Sequence, residues 1–247
     1  MRFYTIFLSL CLMAEASTLA AVPTAKEILQ RIDANQAGQN MFIESSMTIH
    51  GVRGKRTISS RSWVRGEKTS FSEYLAPARE RGTKMLRLGD RLWLYTPRAD
   101  RTIAIAGHML RQPMMGSDLS YEDMMSNVSL VTDYDAQLLG EEKLDGHRVW
   151  VLELKAKSKE VAYRKRKIWV DQKMYQSRKQ ELFATSGKMI KLLRISKFFK
   201  TKRGWYPRVM LFKDTLKEGK GTEFTIHKLE FDPKVSSSRF TKGALRR

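Results

Sequence analysis

The residues able to do bond-making chemistry are scattered along this chain rather than gathered. Its four histidines, His50, His108, His147 and His227, stand alone, with no second histidine or glutamate at ligand spacing on a helix. Each reads as a surface or strand histidine, so no metal is expected. Carboxylates pair only at Glu122-Asp123, Asp133/Asp135 and Glu141-Glu142, in polar turns or helix starts where water solvates them. No nucleophile elbow, phosphate loop or dinucleotide fingerprint occurs, and Gly219-Lys220-Gly221 has the context of a hairpin turn rather than of a strand-to-helix junction. Neither catalysis nor a cofactor is expected, although a dyad assembled by the fold from distant residues stays open.

What does cluster is soft and apolar. Gly107 to Gly116 (GHMLRQPMMG) carries Met109, Met114 and Met115 between two glycines, and Tyr121, Met124 and Met125 follow on one side of a short helix expected over Asp118 to Asn127. Methionine is flexible and polarizable, so such a cluster suits a surface that must accept variable apolar shapes; it suits core filling equally, and both readings stand at this point.

The element that positions this cluster is a β-meander from Leu75 to Ile105. Three apolar runs, Met85 to Leu88, Leu92 to Tyr95 and Ile103 to Ile105, are separated by Gly89-Asp90 and by Pro97 with Ala99-Asp100, the residue types tight connections need. In the middle run Trp93 and Tyr95 point to one face, Leu92 and Leu94 to the other. Both faces therefore need an apolar cover, from the fold's own packing or from a bound apolar ligand. Met85, Trp93, Tyr95, Met109, Met114, Met115, Tyr121, Met124 and Met125 are the candidate lipid-binding residues, with Gly107 to Gly116 as the gate.

Around the meander, Thr24 to Ala37 reads as an amphipathic helix: Thr24 and Glu27 form a capping box, Ile28, Leu29 and Ile32 an apolar stripe, and Gly38 a terminator. From Met41 the period changes to two, and further extended segments run over Arg56 to Arg65, Lys68 to Leu75, Val128 to Leu139, Arg148 to Lys155, Arg164 to Asp171, Gln176 to Phe183, Met189 to Phe199, Trp205 to Phe212 and Glu223 to Phe231. No long helix intervenes, so the sheet is antiparallel. A mainly β fold of about ten or eleven strands is expected, with the two helices on its concave side.

Met1 to Ala21 has the outline of a secretory signal peptide, with an apolar run too short for a membrane span of about twenty residues and cleavage expected after Ala20 or Ala21. Cys11, the single cysteine, lies inside that run, so residues 22–247 form one domain held by its core alone. The 46 Lys plus Arg against 26 Asp plus Glu leave a net charge of +20. Without nucleic-acid motifs in an exported chain, the excess points to anionic lipid headgroups or to a solvated surface that prevents self-association, and not to nucleic acid. Its densest runs are Arg164 to Lys167 and Lys197 to Arg203.

Leu75-Ala76-Pro77, Gly82-Thr83-Lys84, Gly89 to Pro97 (GDRLWLYTP), Gly140 to Gly146 (GEEKLDG), Ile168-Trp169-Val170-Asp171, Gly204-Trp205-Tyr206-Pro207 and the closing Phe240-Thr241 make the chain resemble the LolA-like outer-membrane lipoprotein-sorting proteins, in an uncharacterised branch. The resemblance implies an incomplete, strongly curved antiparallel β-barrel plugged by helices, whose cavity shields acyl chains. The implied function is that of a periplasmic carrier or chaperone for lipoproteins or lipids in transit to the outer membrane, working with an inner-membrane transporter; the anionic membrane surface is expected from the net charge, in which the chain departs from the family. The alternative is a non-catalytic accessory or sensor protein docking on an inner-membrane lipid exporter or envelope complex.

Overall fold

The computed structural model describes residues 22–36, 40–125, 129–159 and 161–247. The expected signal peptide, Gly38 and Asn127 lie outside them. Helix α1 (Ala25–Gln36) begins as its sequence demands: the Thr24 amide donates to Glu27 Oε2 at 2.7 Å and the Glu27 amide to Thr24 Oγ1 at 3.3 Å. None of the described helices is long and apolar enough to cross a membrane.

Among the described residues thirteen strands form a single antiparallel sheet, more than the expected ten or eleven, because every extended segment is its own strand. In chain order they are β1 (Met41–Gly51), β2 (Gly54–Arg65), β3 (Thr69–Ala76), β4 (Lys84–Leu88), β5 (Arg91–Thr96), β6 (Arg101–Ile105), β7 (Tyr134–Leu144), β8 (His147–Ala156), β9 (Lys165–Asp171), β10 (Ser177–Phe183), β11 (Met189–Thr201), β12 (Gly204–Asp214) and β13 (Gly221–Phe231). Two meanders, β1 to β6 and β7 to β13, are joined where β1 pairs with β13, which leaves β6 and β7 as free edges of an open, curved barrel. The β12–β13 connection needs its glycines. A Cβ on Gly219 would stand 2.6 Å from the His50 carbonyl and one on Gly221 2.5 Å from that of Phe212.

This topology decides what covers the sheet. The chain between β6 and β7 has to travel from one free edge to the other, and it does so across one face, here called inner. It makes two short 3-10 turns, Gly107–Arg111 and Met114–Gly116, then helices α2 (Tyr121–Met125) and α3 (Leu130–Asp133). Ser120 caps α2, exchanging hydrogen bonds with Asp123, while Asp118 instead reaches the sheet, accepting from Thr222 Oγ1 at 2.7 Å and from the Asp214 amide at 3.0 Å. Helix α3 occupies part of the expected Val128 to Leu139 strand because Asp33 of α1 accepts from the amides of Leu130 and Val131, a tertiary contact that local pattern does not carry. Strand β7 then continues through Glu141 to Leu144, expected as turn, because it pairs residue by residue with β8.

Candidate functional site

Following direct partners across the ladders gives the rows of the inner face. Leu154, Arg166, Leu182, Lys191 and Asp214 form one. Leu152, Ile168, Gln180, Leu193, Phe212, Thr222 and Ile49 form the next, and Ile195, Met210, Phe224, Met47 and Ile58 the third. Two helical plugs cover the ends of these rows. On one side α1 and α3 set Ile28, Leu29, Ile32 and Leu130 against Trp150, Leu152, Leu154, Ile168 and Val170. On the other, Met114, Leu119 and Tyr121 pack on Met47, Ile58, Tyr74, Met85 and Leu92. Between them Leu193, Met210, Phe212 and Phe224 on β11 to β13 stay half-buried, a floor of apolar side chains with Met124 and Met125 beside it.

One border of this floor is polar. Asp123 of α2 ion-pairs with Lys191 of β11 and accepts from the Tyr163 hydroxyl. Burial pushes the Asp123 carboxyl up, but the Lys191 ammonium, the Tyr163 hydroxyl and the Ser120 amide outweigh it and hold the group below the ordinary aspartate value. Burial and the neighbouring Asp123 charge push the Tyr163 hydroxyl up, so it remains a donor. Lys191 and Tyr163 also line a cavity of ≈ 210 Å³ with Ser120, Asp214 and Lys217. Among the described residues no group of three or more His, Cys, Asp or Glu side chains is placed to hold a metal ion.

A family model described as "Uncharacterized protein"-like matches residues 66–247. An outer membrane lipoprotein-sorting protein domain from Vibrio parahaemolyticus superposes with a TM-score of 0.80 at 25% identity, covering 90% of this chain and 98% of that one. The chain belongs to the LolA-like outer-membrane lipoprotein-sorting family, in its uncharacterised branch. A DUF1329 family protein from Desulfovibrio piger gives a TM-score of 0.82 at 26% identity over 90% of this chain and 97% of its own. A LolA superfamily protein from Nitrosomonas europaea shares the fold, with a TM-score of 0.73, 23% identity and 90% and 100% coverage. No curated protein sequence matches.

In this LolA-like chain the fold brings together seven of the nine candidate residues, Met85, Met109, Met114, Met115, Tyr121, Met124 and Met125, on the inner face. Trp93 and Tyr95 lie on the opposite, outer face, where Trp63, Phe71, Leu86, Phe240 and Leu245 enclose them. The parity of β5 dictates this separation, since Leu92 and Leu94 take the inner positions. Met114 is 2% exposed and its sulfur accepts from the Tyr74 hydroxyl at 3.6 Å, so it is core and not part of a lid. The segment is also pinned: Arg56 Nη2 donates to the Met115 carbonyl, and Asp118 and Asp123 are tied to the sheet. Sequence reasoning missed Leu193, Met210, Phe212 and Phe224. Their strands were legible, but their common face depends on the register in which β11, β12 and β13 pair.

Proposed function

We propose that this chain is a carrier that shields the acyl chains of lipoproteins or lipids in transit through the periplasm to the outer membrane, exported there by the signal peptide at residues 1–21. The observation that carries the reading is the half-buried set of Leu193, Met210, Phe212 and Phe224 on the inner face between two helical plugs, with the unbranched side chains of Met124 and Met125 in the same apolar cluster as Phe212 and Phe224. At about 0.8 kcal/mol per buried CH₂, one long chain laid on such a floor contributes on the order of 10 kcal/mol, so the carrier needs few specific polar contacts. The relative from Vibrio parahaemolyticus, described as a lipoprotein-sorting domain, points the same way. With Met114 fixed in the core, the gate reduces to the Gly107–Arg111 turn and the end of α2. An inner-membrane transporter as donor and an anionic membrane surface as docking site complete the proposal; no chemical step is involved.

Native mass spectrometry of the protein purified from its host without detergent tests this. Co-purifying lipid, or stoichiometric uptake after mild delipidation, is the expected result; a chain that stays empty when lipid is returned overturns it. One observation favours the second reading, an accessory or sensor protein docking on an inner-membrane lipid exporter: Met114, Leu119 and Tyr121 already fill much of the inner face. That reading predicts the empty result together with retention on membranes containing the exporter.

A further inference from the structure

Arg166 breaks the pattern of its neighbours. Within the basic run Arg164 to Lys167, Lys165 and Lys167 lie on the outer face, over the rings of Phe183 at 4.9 Å and Trp169 at 4.9 Å, whereas Arg166 turns inward and is 8% exposed. Burying a guanidinium is costly unless it is paired. Among the described residues, however, Arg166 makes no ion pair: its Nε donates to the Tyr134 hydroxyl at 2.7 Å, and the rings of Tyr134 and Tyr163 flank it at 5.0 and 5.4 Å. Lys191 stands in the same row, one strand beyond Leu182, and its Nζ lies 6.0 Å from the same Tyr163 ring. The next row along β11 and β12 begins the apolar floor with Leu193 and Phe212.

We infer that Arg166 and Lys191 form a subsite for the oxyanion of an amphiphile, a carboxylate or phosphate attached to the acyl chain, and that Asp123 of α2 occupies the Lys191 half of it in the closed form. The inference rests on the carrier reading and names the headgroup that reading leaves open. Its chemistry is simple. The planar guanidinium offers a fork to two oxygens of one anion, the ammonium supplies a second charge, and the chain extends from the rim over Leu193 and Phe212. Two nearby carboxylates are already engaged, Asp118 by Thr222 and the Asp214 amide and Asp214 through Oδ1 by the Leu216 amide at 3.0 Å, while Glu122 lines the same cavity with its charge acting on the Tyr163 hydroxyl. An arriving headgroup displaces Asp123 from Lys191. This frees α2, with Met124 and Met125, to move off the floor, so headgroup recognition and opening become one event.

The test compares cis-parinaric acid with its methyl ester, whose fluorescence rises on entering an apolar site, titrated at pH 8 into the whole protein. The wild type should bind the acid about tenfold more tightly than the ester, the worth of one charge-assisted contact set. Arg166→Gln and, separately, Lys191→Gln should each bring the acid-to-ester ratio toward one, and Asp123→Asn should raise it. Arg166→Lys, which keeps the charge but loses the fork, should fall between. Inorganic phosphate alone, added at millimolar concentration, should compete weakly against the acid, because the chain supplies most of the affinity; competition by phosphate as strong as by the lipid would make this a free-phosphate site and overturn the inference. Equal binding of acid and ester by the wild type, or a preference that survives both Gln variants, overturns the headgroup subsite alone. Binding of neither probe overturns the carrier reading and the subsite with it. Should Arg166→Gln unfold, Lys191→Gln and Asp123→Asn carry the test, since both act on a pair at the border of the floor.

Discussion

Asp171 illustrates how single side chains hold this sheet together. Its carboxyl is 4% exposed, receives Arg178 Nε at 2.6 Å and accepts from the amides of Lys173 and Met174, with His147 Nδ1 3.7 Å away. Burial pushes its pKa up, but the Arg178 contact and the two amides outweigh that and hold it below the ordinary aspartate value. A depressed folded-state pKa contributes stability that is complete above the unfolded value, near 3.9, and is lost as pH falls through the folded one. Urea unfolding at stepped pH should therefore show stability falling below about pH 4, and Asp171→Asn should flatten that slope while costing about 3 kcal/mol at neutral pH by leaving Arg178 unpaired. The two adjacent methionines make a second test. Met114→Ala should cost about 2–5 kcal/mol of unfolding free energy and Met115→Ala clearly less, because only Met114 is enclosed. Nothing in the GHMLRQPMMG sequence separates the two; the distinction comes from Met115 adopting a positive φ of 51°, which turns the chain between them.

At the scale of elements, most strands and helices α1 and α2 were legible, because alternation, glycine turns and capping boxes are local signals, whereas α3 stands where a strand was expected. The outer cover was not. Two 3-10 turns near the C-terminus, Ser237–Phe240 and Lys242–Leu245, lay Phe240 and Leu245 on Trp63, Phe71, Leu86 and Trp93, with Arg239 over Trp63 at 3.8 Å and Lys242 over Trp93 at 4.5 Å. Two isolated apolar residues among Ser, Lys and Arg carry no periodicity, so the tail reads only as short and basic. It is nevertheless the apolar cover that the outer side of β5 requires. Leu245→Ala should destabilise the protein by about 2–5 kcal/mol and shift tryptophan emission to the red as water reaches Trp63 and Trp93. Unchanged emission and stability would mean the tail is not part of the folded core.

For the whole molecule, the decisive fact is the route of the chain from β6 to β7 across the inner face, which together with α1 covers both ends and leaves Leu193, Met210, Phe212 and Phe224 half-buried between them. That the inner face is apolar was readable from the meander; which strands supply the half-buried floor was not, because it follows from how β11, β12 and β13 pair with one another and from the pairing of β1 with β13. The charge belongs to this scale as well. With a net charge of +20 and each Lys or Arg near an anionic surface worth about 1 kcal/mol, sedimentation with anionic vesicles should be strong at low salt and lost as the Debye length shrinks below about 10 Å. Equal binding to neutral vesicles would make the charge generic. The carrier reading itself is tested most directly by a palmitate analogue bearing a diazirine, photolysed on the protein and mapped by mass spectrometry. Label should saturate at one equivalent, be competed by palmitate and fall on Met124, Met125, Leu193, Met210, Phe212 and Phe224; label that never saturates, or that falls only around Trp93, Tyr95 and the C-terminal turns, would contradict it.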